Sequence, residues 1–368
     1  MIGAQFRGKL ERYRLVKLLK EGGFSRVFLA EGQDDLVVIK VPREDELSRY
    51  LLIEEAELLR EVSRPAPHEN IVAFIEWIRS VPALVEEYVP GPTLREAFYG
   101  RAATQSDAVR IALGCLSALE RIHSLGIAHG DLKPENIITP KPLHPVIIDM
   151  GVARKFGSRS IAGTMGWSAP EFLRGEVSPE SDLYSIGALI LFLITGRDPP
   201  EDPSSIKIPN NLSDSLRYVL EKSLSSEPWE RFGSANEMAL ALMGRKMPER
   251  GGPRLVIQGK VVKLASKVTI GRVKWQGGTG KADICLQELG SKRMLPPGPP
   301  LGWVEISRVG DEYWISDMGA PGGVWIQEGS SWRKVMDHPL RHGQLISLGL
   351  RVKGKTTFPY VLGRFYLH

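Results

Sequence analysis

Cysteine is almost absent from this 368-residue chain: Cys115 and Cys285 are the only two. They lie far apart, so neither a disulfide framework nor a cysteine-rich metal site is encoded. Long apolar runs are missing too. The longest, Ile186 to Ile194, is far short of the roughly 20 residues that cross a bilayer. The first residues, Met1-Ile2-Gly3-Ala4-Gln5-Phe6-Arg7-Gly8-Lys9, lack the apolar core of a signal peptide. No membrane partner is expected, and the cytoplasm is the expected location.

A hydrophobic content of 42% with 25% charged residues is that of a globular protein. The length exceeds one ordinary core and suits two or three domains. The net charge of +5 is uneven. Residues 250–368 hold 18 Lys/Arg against 8 Asp/Glu, and the rest of the chain is net acidic. A basic C-terminal part attracts acidic or phosphorylated partners, or is simply a solvated surface. Nothing in it indicates nucleic acid.

Three blocks follow from the patterning. Leu15 to Leu19, Val27 to Ala30 and Leu36 to Val41 read as strands, the first two flanking a Gly-rich turn. Ser48 to Val62 reads as a helix with Leu51, Leu58 and Val62 on its apolar stripe. Residues 93–245 read as mostly helical. Residues 246–253, poor in apolar residues and containing Gly and Pro, read as a linker. Beyond it come short β-rich runs: Leu255 to Ile257, Val261 to Leu264, Val268 to Ile270, Trp303 to Ile306, Tyr313 to Ser316, Val324 to Ile326 and Leu345 to Leu348. That rhythm predicts an all-β sandwich. The Pro-rich stretch Met294 to Pro300 is expected to be an irregular loop.

The chemistry concentrates in His129-Gly130-Asp131-Leu132-Lys133-Pro134-Glu135-Asn136, followed by the apolar run Val146-Ile147-Ile148 and then Asp149-Met150-Gly151. A carboxylate, an amine and a carboxamide in one short loop, with a second carboxylate after a strand, are the parts that phosphoryl transfer needs. A buried-strand lysine, Lys40 in Val37-Val38-Ile39-Lys40, requires an anionic partner. Glu55 lies on the apolar stripe of the predicted helix and can supply one. Glu54 is the fallback, and a Glu-rich surface helix is the other reading.

These motifs resemble the eukaryotic-type protein kinase family over about residues 10–245. The implied fold is an α+β bilobal protein-kinase-like domain over residues 1–245, with an N-lobe of about 10–90 and a C-lobe of about 91–245. The resemblance implies ATP and Mg²⁺ as cofactors and protein substrates. Lys two residues after Asp131 resembles Ser/Thr-directed members. By the same resemblance Asp131 is the catalytic base, Lys133 neutralises the transferring group, and Asn136 and Asp149 bind Mg²⁺. Thr164, in Gly163-Thr164-Met165-Gly166-Trp167-Ser168-Ala169-Pro170-Glu171, bonds Asp131 and Lys133. Glu171 is buried against Arg231, and Asp182 braces the catalytic loop. His129 reads as a packed structural residue, and His123 and His144 receive no role.

For the nucleotide, the resemblance assigns Gly22, Gly23 and Val27 of Lys20-Glu21-Gly22-Gly23-Phe24-Ser25-Arg26-Val27, with Lys40, Glu55, and the backbone of Glu87 and Val89 in Ala83 to Gly91. The chain departs from the family at Lys20 and Ser25, where glycines are usual, at Gly130, where Arg is usual, and at Met150, where Phe is usual. Without an arginine at 130, no guanidinium there can pair with a phosphate on the activation segment. Basal activity independent of phosphorylation at Ser158 and Ser160 is therefore expected. Glu86 falls at the back of the nucleotide pocket; either it meets a cation there or the register is off by one.

Val268-Thr269-Ile270-Gly271-Arg272 with Ala282 to Leu286, Tyr313 to Gly319 and Leu340 to Gly349 resembles a forkhead-associated domain over residues 254–368. That family binds phosphothreonine-containing proteins, and Arg272 matches its phosphate-binding arginine. Ser291, Lys292 and Arg293 are the displaced counterpart of the rest of that site, or the counterpart is absent. Gly322-Gly323-Val324 replaces the family's Asn-Gly-Thr. The leading expectation is a protein Ser/Thr kinase whose forkhead-associated-like domain recruits partners. A pseudokinase scaffold, and a small-molecule phosphotransferase of the aminoglycoside or choline kinase kind, are the alternatives.

Overall fold

A computed structural model describes residues 2–158, 163–245, 254–257, 260–264, 267–271, 284–285, 303–309, 312–319, 323–328, 331–340, 344–348, 350–353, 356–359 and 362–366. Arg272, Ser291, Lys292 and Arg293, the proline-rich stretch, the 246–253 segment and Ser160 lie outside the described residues.

The N-terminal part is one antiparallel sheet. Its strands are β1 (Gln5–Arg7), β2 (Arg12–Glu21), β3 (Ser25–Glu31), β4 (Leu36–Pro42), β5 (Phe74–Ile78) and β6 (Ala83–Glu87), in the order β1-β2-β3-β4-β6-β5. Strand β4 alternates. Val37, Ile39 and Val41 join Phe6, Tyr13, Leu15, Phe28 and Val85 in one apolar cluster. With a period of two, Val38 and Lys40 point to the opposite face. Strand β1 lies outside the expected lobe. Glu76 holds the turn after it and β2, accepting from the Lys9 N–H at 2.7 Å and the Tyr13 hydroxyl at 2.7 Å.

Helix α1 (Glu46–Val62) starts at Asp45, whose carboxylate accepts from the Ser48 N–H at 2.8 Å, so an orphan helical donor is satisfied. Its buried stripe is Leu51, Leu52, Glu55, Ala56, Leu59 and Val62. Leu59, not Leu58, sits on that stripe; Leu58 is only partly buried. One residue is about 100° of helix, which moves a side chain off the packed face.

The following part is helical: α2 (Leu94–Phe98), α3 (Gln105–Ser124), α4 (Pro170–Leu173), α5 (Pro179–Thr195), α6 (Asp214–Ser223) and α7 (Ala235–Leu242). The run Ile186 to Ile194 lies in α5, which is apolar on every side because other elements surround it. Gly187 lets α6 approach: a Cβ there would stand 2.3 Å from Ser223 Oγ. Short strands β7 (Ile127–Ala128), β8 (Ile137–Lys141), β9 (His144–Ile147) and β10 (Arg154–Lys155) frame the loop between α3 and α4. Among the described residues, no helix is long and apolar enough to cross a membrane.

Among the described residues, the C-terminal part is all β. One sheet runs Lys260–Lys263, Arg254–Ile257, Leu362–Tyr366, Leu345–Leu348, Val324–Glu328, Ser331–Val335; another runs Ile284–Cys285, Lys267–Gly271, Trp303–Val309, Glu312–Met318, Asp337–Leu340. Leu255, Val324, Ile326 and Phe365 from the first share one apolar cluster with Val304, Ile306, Tyr313 and Ile315 from the second.

Candidate active site

Four segments converge where the sheet meets the helices: β4, α1, the loop 129–136 between β7 and β8, and the residues after β9. Lys40 lies on β4 opposite Val27 of β3, so both side chains share the face turned away from the outer cluster. Its ammonium is 2.6 Å from Glu55 Oε1, 3.1 Å from Glu86 Oε1 and 3.5 Å from Asp149 Oδ1. Glu55, not Glu54, is therefore the helix partner. Glu86 meets a cation, and that cation is Lys40.

Three carboxylates around one ammonium set the local electrostatics. Burial works against the charge on Lys40, but Asp149, Glu55 and Glu86 outweigh it and hold the group well above the usual lysine range. Burial likewise pushes Glu86 up to about 8, against the attraction of Lys40. Glu55 is raised by burial as well. Asp149 differs. Burial opposes its ionisation, yet Lys40 and the Gly151 N–H, 3.0 Å from Oδ1, hold it down to about 2. Its side chain is one-third exposed, at 33%, whereas those of Glu55 and Glu86 are 7% and 4%.

The loop 129–136 forms a second cluster. Asp131 Oδ1 accepts from the Thr164 hydroxyl at 2.7 Å, and Lys133 Nζ donates to Thr164 Oγ1 at 2.9 Å. Asp131 Oδ2 is 2.7 Å from Lys133 Nζ and accepts from Asn136 Nδ2 at 2.9 Å. That amide also donates to the Asp131 carbonyl at 2.9 Å. With its amide hydrogens turned to Asp131, Asn136 keeps its side-chain oxygen for another ligand.

Asp182, at the start of α5, is fully buried and fixes the loop. Its carboxylate accepts from the His129 and Gly130 N–H groups, each at 2.8 Å, and lies 2.8 Å from His123 Nε2. Burial lowers His129, whose Nδ1 accepts from the Asp131 N–H at 3.3 Å. It is a packed, neutral ring. His123, assigned no role from sequence, supports Asp182; the available signal was its place on the buried stripe of α3.

Gly130 has φ +80°, and a Cβ there would stand 2.5 Å from Phe172 Cζ. The position therefore excludes any side chain, not only arginine. Ser158 is 4% exposed and its hydroxyl donates to the Lys155 carbonyl at 2.6 Å.

Glu171 and Arg231 form a forked pair at 2.7 and 3.0 Å, fully buried. Arg231 spends its other donors on the carbonyls of Ser225, Ser226 and Glu180, and Ser181 donates to Glu171 at 2.8 Å. Burial raises Glu171, but Arg231 overrides it and keeps the carboxylate below its usual range. Arg95 on α2 is a residue sequence reasoning missed. It bonds Glu135 at 2.7 Å and Asp198 at 2.5 Å, with its guanidinium over the rings of Tyr99, Trp167 and Phe192.

At the nucleotide positions, Gly22 donates to the Ser25 carbonyl at 2.8 Å, closing the β2–β3 turn, and Gly23 has open space above its Cα. Val89 is buried and Glu87 exposed on the segment that leaves β6. Among the described residues no group of three or more His, Cys, Asp or Glu forms a metal cage. Mg²⁺ takes one or two protein oxygens and fills its shell with phosphate and water. Asn136 and Asp149 are oxygen donors of this kind.

The sequence compares with known proteins as the geometry does. The protein kinase domain family matches residues 13–259, more than half of the chain. The probable serine/threonine-protein kinase PkwA of Thermomonospora curvata is 34% identical over 205 residues, covering 52% of this chain and 27% of that protein. Serine/threonine-protein kinase PknA of Nostoc sp. is 32% identical over 267 residues, 63% of this chain and 47% of that one. Serine/threonine-protein kinase D of Synechocystis sp. is 32% identical over 267 residues, 63% and 52% respectively. The chain spans from about a quarter to half of the length of these relatives. With its Lys40–Glu55 pair, its Asp131 loop and its Glu171–Arg231 pair in a two-part α/β frame, the chain belongs to the protein kinase family.

Proposed function

We propose that the chain is a serine/threonine-protein kinase that transfers the γ-phosphoryl group of ATP to Ser or Thr hydroxyls of protein substrates. The observation that carries this reading is the cluster Asp131, Lys133, Thr164 and Asn136, with donors and acceptors matched within 2.9 Å. Asp131 is a carboxylate placed to orient an attacking hydroxyl and take its proton. Lys133 carries the charge that neutralises the migrating group. Lys40, fixed by Glu55, holds the nucleotide phosphates, Gly22 and Gly23 cover them, and Val27 covers the adenine. The backbone of Glu87 and Val89 meets the adenine edge. Asn136 and Asp149 hold Mg²⁺, which when bound screens charge on the phosphates. Such catalysis is mostly positioning and electrostatics.

Gly130 and the buried Ser158 support activity without activation-segment phosphorylation, because no guanidinium at 130 can receive a phosphate. The β-sheet part is read as a forkhead-associated-like domain that recruits phosphothreonine-containing proteins. The likeness of Ile270-Gly271-Arg272 and the β-rich architecture support this, and Arg272 with Ser291, Lys292 and Arg293 are the residues to probe.

Radiolabelled ATP with Mg²⁺ and a generic protein substrate tests the first reading. Label is expected on serine and threonine; label on tyrosine alone, or on a small-molecule acceptor alone, refutes it. Calorimetry of the full chain against a phosphothreonine peptide library tests the second, with Arg272→Ala expected to cost roughly 1.5–3 kcal/mol. Binding that ignores the phosphate refutes it.

A further inference from the structure

Arg95 on α2 joins two segments that meet at Asp131. On one side its Nε donates to Glu135 Oε1 at 2.7 Å, within the loop 129–136 itself. On the other its Nη1 donates to Asp198 Oδ1 at 2.5 Å, on the turn after α5. Its guanidinium also lies 5.9 Å from the centre of the Trp167 ring, which is 4% exposed. Among the described residues, Arg95 bonds none of those assigned to the nucleotide.

Asp198 and Trp167 both lead to Thr164. Asp198 precedes Pro199 and Pro200, whose carbonyl oxygens would stand 2.9 and 3.3 Å from a Cβ at Gly166. Gly166 has φ +78°, so the chain turns closely against those carbonyls where only glycine fits. The Trp167 and Ser168 N–H groups donate to the Thr164 carbonyl at 3.0 and 2.8 Å, and the Thr164 N–H donates to Ser168 Oγ at 2.9 Å. Residues 164–168 are therefore one bonded turn. It rests on the ring beneath Arg95 and on the loop that Arg95 holds. The same turn carries the Thr164 hydroxyl that bonds Asp131 and the exposed Met165. An acceptor hydroxyl has to come within about 3 Å of Asp131, so an acceptor chain lies along this turn.

We propose that Arg95 is a positioning residue for the protein acceptor. It clamps the turn 164–168 against the loop 129–136, and so sets the affinity for the acceptor while leaving that for ATP alone. A planar fork suits the task, because one group reaches two carboxylates in different directions while lying over a ring. The proposal rests on the kinase reading above.

The test uses the full chain as wild type, Arg95→Gln and Asp198→Ala, with melting temperature as the check on folding. Dephosphorylated casein is the acceptor. Its KM at saturating ATP is expected to rise about tenfold in Arg95→Gln, while the KM for ATP stays within about twofold. Hydrogen exchange read by mass spectrometry, which needs no phosphoryl transfer, is expected to quicken about tenfold over residues 163–168 and to stay unchanged in β3 and β4. A KM for casein that stays put, or one that rises only in step with the KM for ATP, overturns the proposal. So does unchanged exchange over 163–168. If Arg95→Gln fails to fold, Asp198→Ala, which cuts one leg of the clamp at an exposed carboxylate, carries the same expectations. Quickened exchange over 163–168 in a variant of a chain whose wild type labels no serine or threonine refutes the kinase reading and leaves the clamp standing.

Discussion

Replacing Gly130 by alanine is expected to harm the fold as much as replacing it by arginine. The backbone there is left-handed at φ +80°, which costs a residue with a Cβ about 1–2 kcal/mol. The new Cβ would also stand 2.5 and 2.9 Å from two atoms of the Phe172 ring, which is 1% exposed and cannot swing into solvent. Forcing a buried ring aside costs a further 1–3 kcal/mol or so. The sum is roughly 2–5 kcal/mol, a fall in melting temperature of about 5–15 °C for a domain of this size. Gly126 is the control. It has φ +71° but nothing within 4 Å of a Cβ, so Gly126→Ala carries the backbone cost alone. Thermal and denaturant unfolding of Gly126→Ala, Gly130→Ala and Gly130→Arg separate the two costs. Phe172→Leu in the Gly130→Ala background is expected to recover part of the loss. If Gly130→Ala is as stable as Gly126→Ala, the ring contact is not what excludes a side chain. The consequence for regulation is direct: installing an arginine at 130 does not create a phosphate-responsive site, because there is no room for its stem.

Glu171→Ala leaves the Arg231 guanidinium buried and unpaired, and is expected to cost about 3–5 kcal/mol in chemical denaturation; a loss under 1 kcal/mol contradicts the pair's role. Asp131→Asn is expected to lower turnover severely while ATP affinity, measured by calorimetry, stays within a few-fold. Glu86→Gln changes the pH dependence of stability. Between its ordinary range and about 8, folded Glu86 keeps a proton that the unfolded chain has released, so the wild type loses stability as pH rises through that window. Melting temperatures from pH 5 to 8 should fall less in the variant; parallel curves contradict the burial argument.

Much of the frame was legible because its signals are local. Alternation placed β3 and β4, and the strands around Val304, Ile315 and Ile326. The spacing of Leu51, Glu55 and Val62 put a carboxylate on a buried stripe opposite Lys40. Motif order grouped Asp131 with Asn136, which a 2.9 Å hydrogen bond joins. The unread features are contacts between residues distant in sequence. Glu76 clamps the β1–β2 turn and β2 from 63–67 residues away, and His123 and Arg95 act through Asp182, Glu135 and Asp198. The β-rich part hid strands for another reason. Ser331–Val335 and Asp337–Leu340 are sheet edges, where polar residues and Pro339 carry no apolar alternation. Leu362–Tyr366 is central but contains Gly363, whose missing side chain leaves room for Ile257 and Ile346.

The most direct measurement is autophosphorylation of wild type and Asp149→Ala side by side, with radiolabelled ATP and Mg²⁺ and phosphoamino-acid analysis of the product. Label is expected on serine or threonine in the wild type and none above background in Asp149→Ala, since the proposed metal ligand beside Lys40 is gone. Equal label in both proteins contradicts it.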